Sequence, residues 1–261
     1  MKSWPNWIQN KMRVLITRPV EQTADFAAAL RAIGAQPVFL PAITIRPVED
    51  TSALDHSLAR LDHYSWLILT SANAAEIILE RMNSLRIGAP PQSLRLAAIG
   101  PKTAAKLEAG GLHPDFIPDQ YIAEAILPGL GDLMDRWVLL PLADIADDTL
   151  PNAIEAAGGI AHVIEAYHTL PAEPEPEGLA ALRLGVDLLT FTSGSTVRNF
   201  FALVQSAGLD PLNLPGSPKV ACIGPKTAQT ARDLGFTVDL IADPYTSDGL
   251  VAAIQSHFIQ L

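Results

Sequence analysis

The segment Ile99-Gly100-Pro101-Lys102-Thr103-Ala104 occurs twice, returning unchanged as Ile223-Gly224-Pro225-Lys226-Thr227-Ala228 at an offset of 124 residues (223 − 99). The same offset pairs Val14 with Val138, Gly34 with Gly158, Pro47 with Pro171, Gly111 with Gly235, Asp115 with Asp239, Ile117 with Ile241, Asp119 with Asp243 and Tyr121 with Tyr245. Thr70-Ser71 answers Thr192-Ser193 at an offset of 122 (192 − 70). Matches spread over most of a chain indicate one unit duplicated, and the chain must fold as two related modules. At 261 residues it is long enough for each to bury its own core.

Within each copy, short apolar runs alternate with longer amphipathic stretches, the pattern of parallel strands joined by helices. Expected strands in the first copy are 13–17, 37–45, 65–70, 94–99 and 114–117; in the second, 137–140, 160–169, 186–192, 219–223 and 237–241. Helical patterning covers 21–33, 74–82, 102–109, 196–207 and 247–258, among others. The expected fold class is α/β, with two similar doubly wound, parallel-sheet, flavodoxin-like domains.

Composition narrows the function classes. The net charge is −10 and no run of Lys and Arg stands out, so nucleic acid is not an expected partner. The lone Cys222 sits in the apolar run Val220-Ala221-Cys222-Ile223, where it reads as a core residue and cannot form an intrachain disulfide. The opening MKSWPNWIQNK has no apolar signal-peptide core, and no stretch approaches the ~20 apolar residues that cross a bilayer. A cytoplasmic protein without a membrane partner is expected. His56, His63, His113, His162, His168 and His257 include no two at metal-site spacing, so no metal is expected.

Four strand-to-helix junctions carry polar or glycine-rich loops: Thr70-Ser71-Ala72-Asn73, Gly100-Pro101-Lys102-Thr103, Thr192-Ser193-Gly194-Ser195 and Gly224-Pro225-Lys226-Thr227. In open parallel sheets such junctions lie at the carboxyl ends of the strands, where ligands bind. A proline after each repeated glycine suits a first helical turn, and backbone N–H groups there attract anions. Ser, Thr and Asn are also ordinary helix caps, so each loop taken alone has a structural reading. Two domains facing each other across a cleft would present several such junctions to one ligand.

These residues resemble the uroporphyrinogen-III synthases from about Arg13 to the C-terminus. The resemblance rests on Thr17-Arg18-Pro19, Leu69-Thr70-Ser71, the repeated Gly-x-x-Thr-Ala junctions, Ile164-Glu165-Ala166-Tyr167-His168-Thr169 and Phe191-Thr192-Ser193-Gly194-Ser195. It implies a connectivity in which the first strand and helix belong to one domain, the chain crosses to build the other, and then returns. One domain would be 13–39 with 172–261 and the other 48–163, with 40–47 and 164–171 as crossings that pair as a two-stranded hinge. A cut near Arg136 would be the naive alternative.

The resemblance also implies a substrate and a reaction. Hydroxymethylbilane, a linear tetrapyrrole with eight carboxylates, loses its terminal hydroxyl as water and closes to uroporphyrinogen III with the last ring inverted through a spiro intermediate. Its pyrroles are electron-rich, so the protein must add shape and mild acid help, and the resemblance implies that no other cofactor is needed. Tyr167 is singled out as the acid, because a phenol is protonated at neutral pH and the repeat sets Ile43 at the matching place in the first copy. His168 beside it would point to the opposite strand face. Arg18, Ser71, Asn73, Lys102, Thr103, Ser193, Ser195, Lys226 and Thr227 are the candidate substrate contacts, with Arg198 a further source of positive potential. Leu142, in Pro141-Leu142-Ala143-Asp144, stands where family members often carry Arg. A monomer is expected. The rival readings are a two-domain hinge-closing anion-binding protein and a non-catalytic, tetrapyrrole-binding or sensor paralogue.

Overall fold

An apolar run with no polar interruption has no face to offer water, and the strand Trp66–Leu69 is buried at every position. Strands of this kind belong inside parallel sheets covered on both faces. The computed structural model describes residues 11–119 and 123–258; Tyr121, the repeat partner of Tyr245, lies outside them.

The strands are β1 (Arg13–Ile16), β2 (Gln36–Phe39), β3 (Ile43–Pro47), β4 (Trp66–Leu69), β5 (Arg95–Ala98), β6 (Trp137–Ala143), β7 (Ile160–Pro171), β8 (Leu188–Phe191), β9 (Lys219–Cys222) and β10 (Leu240–Ile241). The helices are α1 (Ala24–Ala32), α2 (Ser52–Leu58), α3 (Ala72–Ser84), α4 (Pro101–Ala109), α5 (Leu127–Leu130), α6 (Thr149–Ala156), α7 (Pro176–Leu184), α8 (Gly194–Ser206), α9 (Pro225–Asp233) and α10 (Ser247–Phe258). They build an α/β fold around two five-stranded sheets, ordered β10-β9-β8-β1-β2 and β3-β7-β6-β4-β5. Pairing is parallel from β1 to β2 and β8, from β9 to β8 and β10, from β4 to β5 and β6, and from β6 to β7. Beside β3 and β7 the direction reverses: Ala172 N–H donates to the Ala42 carbonyl and Val48 N–H to the Ala166 carbonyl.

The repeat explains why the two orders are alike. Moving β1, β2 and β5 along the chain by 124 residues lands on the starts of β6, β7 and β9, and moving β4 by 122 lands on β8. Yet β1 hydrogen-bonds to β8, not to β4, so each sheet combines strands from both copies. A cut at Arg136 would separate strands that pair. The chain divides instead into one unit that runs to Thr44 and resumes at Leu170, and another spanning Ile45–Thr169.

In each unit the sheet has a core on both faces. Leu15, Leu189 and Phe191 pack on one side of the first sheet, and Val14, Ile16 and Leu188 on the other. In the second sheet Leu67 and Leu69 face one core while Trp66 and Ile68 face another. That alternation is the period of two expected of strands, here apolar on both sides.

The strand over 237–241 shortens to β10, and three further expected elements differ. The single strand over 37–45 is two strands in different sheets, β2 and β3, with Pro41 between them unable to donate to a ladder. The strand over 114–117 is reduced to one bridge, Ala97 to Phe116. Asp115 takes over part of the ladder: its carboxylate accepts the Leu96 N–H at 2.7 Å, and its repeat partner Asp239 accepts the Val220 N–H at 2.9 Å. The Asp115–Asp239 match therefore has a structural origin. Finally, the helix over 21–33 begins later, at Ala24, after a tight 3₁₀ turn over Val20–Gln22. Among the described residues no helix is long and apolar enough to cross a membrane.

Candidate functional site

Parallel strands that enter helices through short loops bring those loops to one edge of the sheet. In the Ile45–Thr169 unit, the adjacent strands β4 and β5 run into α3 and α4 through residues 70–71 and 99–100. In the other unit, adjacent β8 and β9 run into α8 and α9 through 192–193 and 223–224, and Arg18 comes shortly after β1, the neighbour of β8.

Ser71 caps α3, its Oγ accepting the Ala74 N–H at 3.1 Å. The same oxygen lies 2.9 Å from the Tyr167 hydroxyl, so Ser71 joins the end of β4 to β7. Because Ser71 Oγ already accepts a backbone proton, its own hydroxyl proton can be given to the Tyr167 oxygen, which leaves the phenol O–H free to point elsewhere. Tyr167 is 6% exposed, and burial pushes its pKa above the ordinary value. Hydrogen bonds from Ser71 and Asn73 pull it down, and the Asp144 carboxylate adds a smaller upward push. The phenol is thus held protonated at neutral pH, with two polar neighbours ready to accommodate a developing phenolate.

Strict alternation along β7 would place Tyr167 on the face opposite Ile164 and Ala166. The structure does otherwise. Leu142 faces Glu165 and the next residue, Ala143, faces Tyr167, so Ala166 is an inserted residue and the strand bulges there. An extra residue flips the downstream side chains to the other face. Ile164, Ala166 and Tyr167 consequently all enter one core, while His168 comes round to the side of Glu165, with its Nδ1 3.1 Å from Oε1. Tyr167 and His168 still point apart, as expected of neighbours in a strand.

At the first unit's edge, Ser193 caps α8 in a reciprocal capping box with Thr196 and sits 2.8 Å, Oγ to Oγ, from the buried Ser195. Arg18 is 5% exposed, more enclosed than a surface anion contact would be. Its guanidinium donates to the Gln22 carbonyl at 3.3 Å and to Ser247 Oγ at 3.2 Å, and stacks over the Phe26 ring at 4.6 Å. Its Nε has no hydrogen-bond partner, and among the described residues it forms no ion pair. Desolvation with no counter-charge brings its pKa down to about 10. Cys222 is fully buried and its thiol is pushed up to about 12 by burial, so it is a packing residue.

The two copies of Gly-Pro-Lys-Thr are alike in sequence and different in backbone. In both, glycine holds the N-cap and proline the first turn, as the sequence suggests. The threonines do not cap. Thr103 is 3% exposed and turns its hydroxyl back to the Ile99 carbonyl at 3.3 Å; Thr227 is 6% exposed. Lys102 and Lys226 are exposed in the first helical turn. Gly100, however, has φ 94° and ψ 160°, a region closed to residues with a Cβ, whereas Gly224 is extended at φ −169°. Gly100→Ala should therefore destabilise the protein by about 1–3 kcal/mol of backbone strain. Gly224→Ala, whose Cβ would come no nearer than 3.5 Å to its closest neighbour, the Tyr245 side chain, should cost far less. Denaturant melts of the two variants check this, and equal losses would count against the difference in backbone.

The family model for "Uroporphyrinogen-III synthase HemD" matches residues 24–252. The chain belongs to the uroporphyrinogen-III synthase family. The uroporphyrinogen-III synthase of Synechococcus elongatus is 34% identical over 93% of this chain and 94% of its own length, and that of Chlorobaculum parvum 28% identical over 92% and 97%. Among solved structures, uroporphyrinogen III synthase from Thermus thermophilus matches with a TM-score of 0.64 at 22% identity, covering 94% of this chain and 98% of that one. The uroporphyrinogen-III synthetase of Helicobacter pylori matches at 0.61 and 18%, covering 94% and 99%. These two likenesses establish a shared fold. The resemblance read from the loops thus extends over nearly the whole chain, and the region matched to the uroporphyrinogen-III synthase model takes in all four junctions, Tyr167 and Asp144. Asp144 carried no signal of its own in the sequence beyond its place after an apolar run; its nearness to Tyr167 follows from the pairing of β6 with β7.

Proposed function

We propose that this chain performs the reaction for which its family is named, closing hydroxymethylbilane to uroporphyrinogen III with loss of water and inversion of the last pyrrole ring, in tetrapyrrole biosynthesis. The observation that carries the reading is 34% identity to a uroporphyrinogen-III synthase over 93% of the chain. The reaction makes the enzyme a hydro-lyase.

On this reading Tyr167 is the general acid. The pyrrole nitrogen's electron pair expels the terminal hydroxyl while the phenol O–H gives it a proton, so that water leaves and an azafulvene cation remains. A phenol is a far stronger acid than water, whose pKa is about 15.7, so proton transfer in step with C–O cleavage is favourable even for a buried tyrosine. Ser71 and Asn73 then stabilise the phenolate through hydrogen bonds. The junction residues Lys102, Thr103, Ser193, Ser195, Lys226 and Thr227, with Arg18, serve the carboxylates, chiefly through the backbone N–H groups of the helix starts they occupy.

The same reading assigns residues 13–39 with 172–261 to one flavodoxin-like domain and 48–163 to the other, with 40–47 and 164–171 as a two-stranded hinge. What supports it is the order of the first sheet, in which β1 lies between β2 and β8, and the matching place of β4 between β5 and β6 in the second, where β3 adds an edge strand. We place the enzyme in the cytoplasm, acting as a monomer; a single, buried, unreactive cysteine suits a reducing compartment. Expression in a bacterial strain lacking its own uroporphyrinogen-III synthase should restore haem-dependent growth. Well-expressed, folded protein that fails to restore it would argue for a binding paralogue.

A further inference from the structure

Three consecutive residues of the bulged strand β7 are held by one residue outside it. The backbone N–H of Asp144 donates to the Tyr167 carbonyl at 3.0 Å. Its Oδ1 accepts the Thr169 N–H at 2.9 Å. Its Oδ2 lies 3.5 Å from His168 Nδ1, which is 3.1 Å from Glu165 Oε1. Asp144 directly follows β6, on the strand that opposes the bulge at Ala143 and Tyr167.

A bulge leaves the ladder locally unpaired, so the side chain after it is aimed only as well as the backbone around it is fixed. Any residue but proline could supply the Asp144 amide. The carboxylate supplies something further: it accepts the amide two residues past the tyrosine and lies beside the imidazole between them, a tie that opposes slip in register and rotation of 167–169 about the bulge. We propose that Asp144 is a positioning residue for Tyr167, its carboxylate fixing the direction in which the phenol leaves β7 toward Ser71. This rests on the reading of Tyr167 as the acid, and it adds a residue that does not touch the reacting atoms and lies outside the four polar or glycine-rich junctions, in the β6–α6 loop.

The test uses the full chain with D144A, D144N, Y167F and the D144A/Y167F double variant. Quenched turnover of hydroxymethylbilane should show kcat of D144A reduced by about tenfold or more with KM within threefold, because aim rather than binding is lost. D144N, which keeps an acceptor for the Thr169 N–H, should recover most of that loss. The double variant should be no slower than Y167F alone. A D144A rate within threefold of wild type, or losses that multiply in the double variant, would overturn the proposal. NMR of protein carrying 13C-labelled tyrosine gives a readout that does not depend on turnover: the resonance missing in Y167F should move in D144A, and less in D144N. If it stays in place, Asp144 does not position the ring. Should D144A fail to fold, D144N is judged by NMR: a Tyr167 resonance displaced from its wild-type position supports the proposal, and one that stays in place overturns it. A Y167F rate near wild type would remove the acid role itself, and the NMR shift would still decide whether Asp144 aims the side chain.

Discussion

Replacing Tyr167 by phenylalanine should lower turnover by about 10²-fold or more, the size of a lost general acid. The ring and its packing among Leu69, Ile164 and Ala166 survive. The deleted hydroxyl gives up its bond to Ser71, but Ser71 keeps the Ala74 N–H, so the stability loss should stay near the ~1 kcal/mol of one net hydrogen bond. Product should remain the type III isomer, because the acid assists departure of the hydroxyl and does not choose the carbon attacked. The pH dependence follows from the direction of the shift. With its pKa raised above 10 in the fold, Tyr167 stays protonated where free tyrosine begins to ionise, so it should contribute no fall in rate below pH 10. The stabilisation linked to that shift is complete below 10 and is lost as pH rises through the folded value. A Tyr167→Phe rate within threefold of wild type, on protein that melts normally, would end the role of this phenol.

Arg18→Met should separate stability from substrate binding. The guanidinium is buried against a carbonyl, a hydroxyl and the Phe26 ring, with no carboxylate partner among the described residues. Its pKa is lowered to about 10 from 12.5, so at neutral pH the charged form costs the fold energy rather than supplying it. Methionine keeps much of the volume and removes the charge, and the melting temperature should hold or rise. If a substrate carboxylate supplies the missing counter-charge, KM should rise about 10–100-fold, matching the ~1.5–3 kcal/mol of a charged hydrogen bond. Unchanged kinetics would make Arg18 a packing residue, and a collapse in melting temperature would make it a brace between the turn at Val20–Gln22 and the start of α10.

The repeat carries most of the architecture that the sequence makes legible. An identical hexapeptide at two places locates the β5–α4 and β9–α9 junctions, because a strand-glycine-proline-helix sequence has few other conformations available. What the repeat conceals is pairing: nothing in residues 13–16 says that β1 joins β8 rather than β4, since the partner is chosen by long-range packing. Local chemistry conceals the rest. Thr103 reads as a cap and instead bonds backwards, because Gly100 already occupies the cap position. Gly100 and Gly224 have the same neighbours and different φ. Ala166 is an ordinary alanine in an alternating run, yet as the inserted residue it puts Tyr167 and Ile164 in one core, and only the opposing register of Leu142 and Ala143 reveals this. Arg18 reads in the sequence as a candidate carboxylate contact, and nothing there announces its burial against Phe26 and Ser247, the latter 229 positions away in sequence.

The catalytic claim is tested most directly by the isomer formed from freshly made hydroxymethylbilane. Purified protein, with a chelator present, should convert it to uroporphyrinogen III faster than the spontaneous closure that gives the type I isomer. Chromatographic separation of the oxidised products reads the ratio. Type III as the dominant product, in proportion to protein added and unaffected by chelator, is the expected result; type I alone, at the rate of the protein-free control, would contradict it.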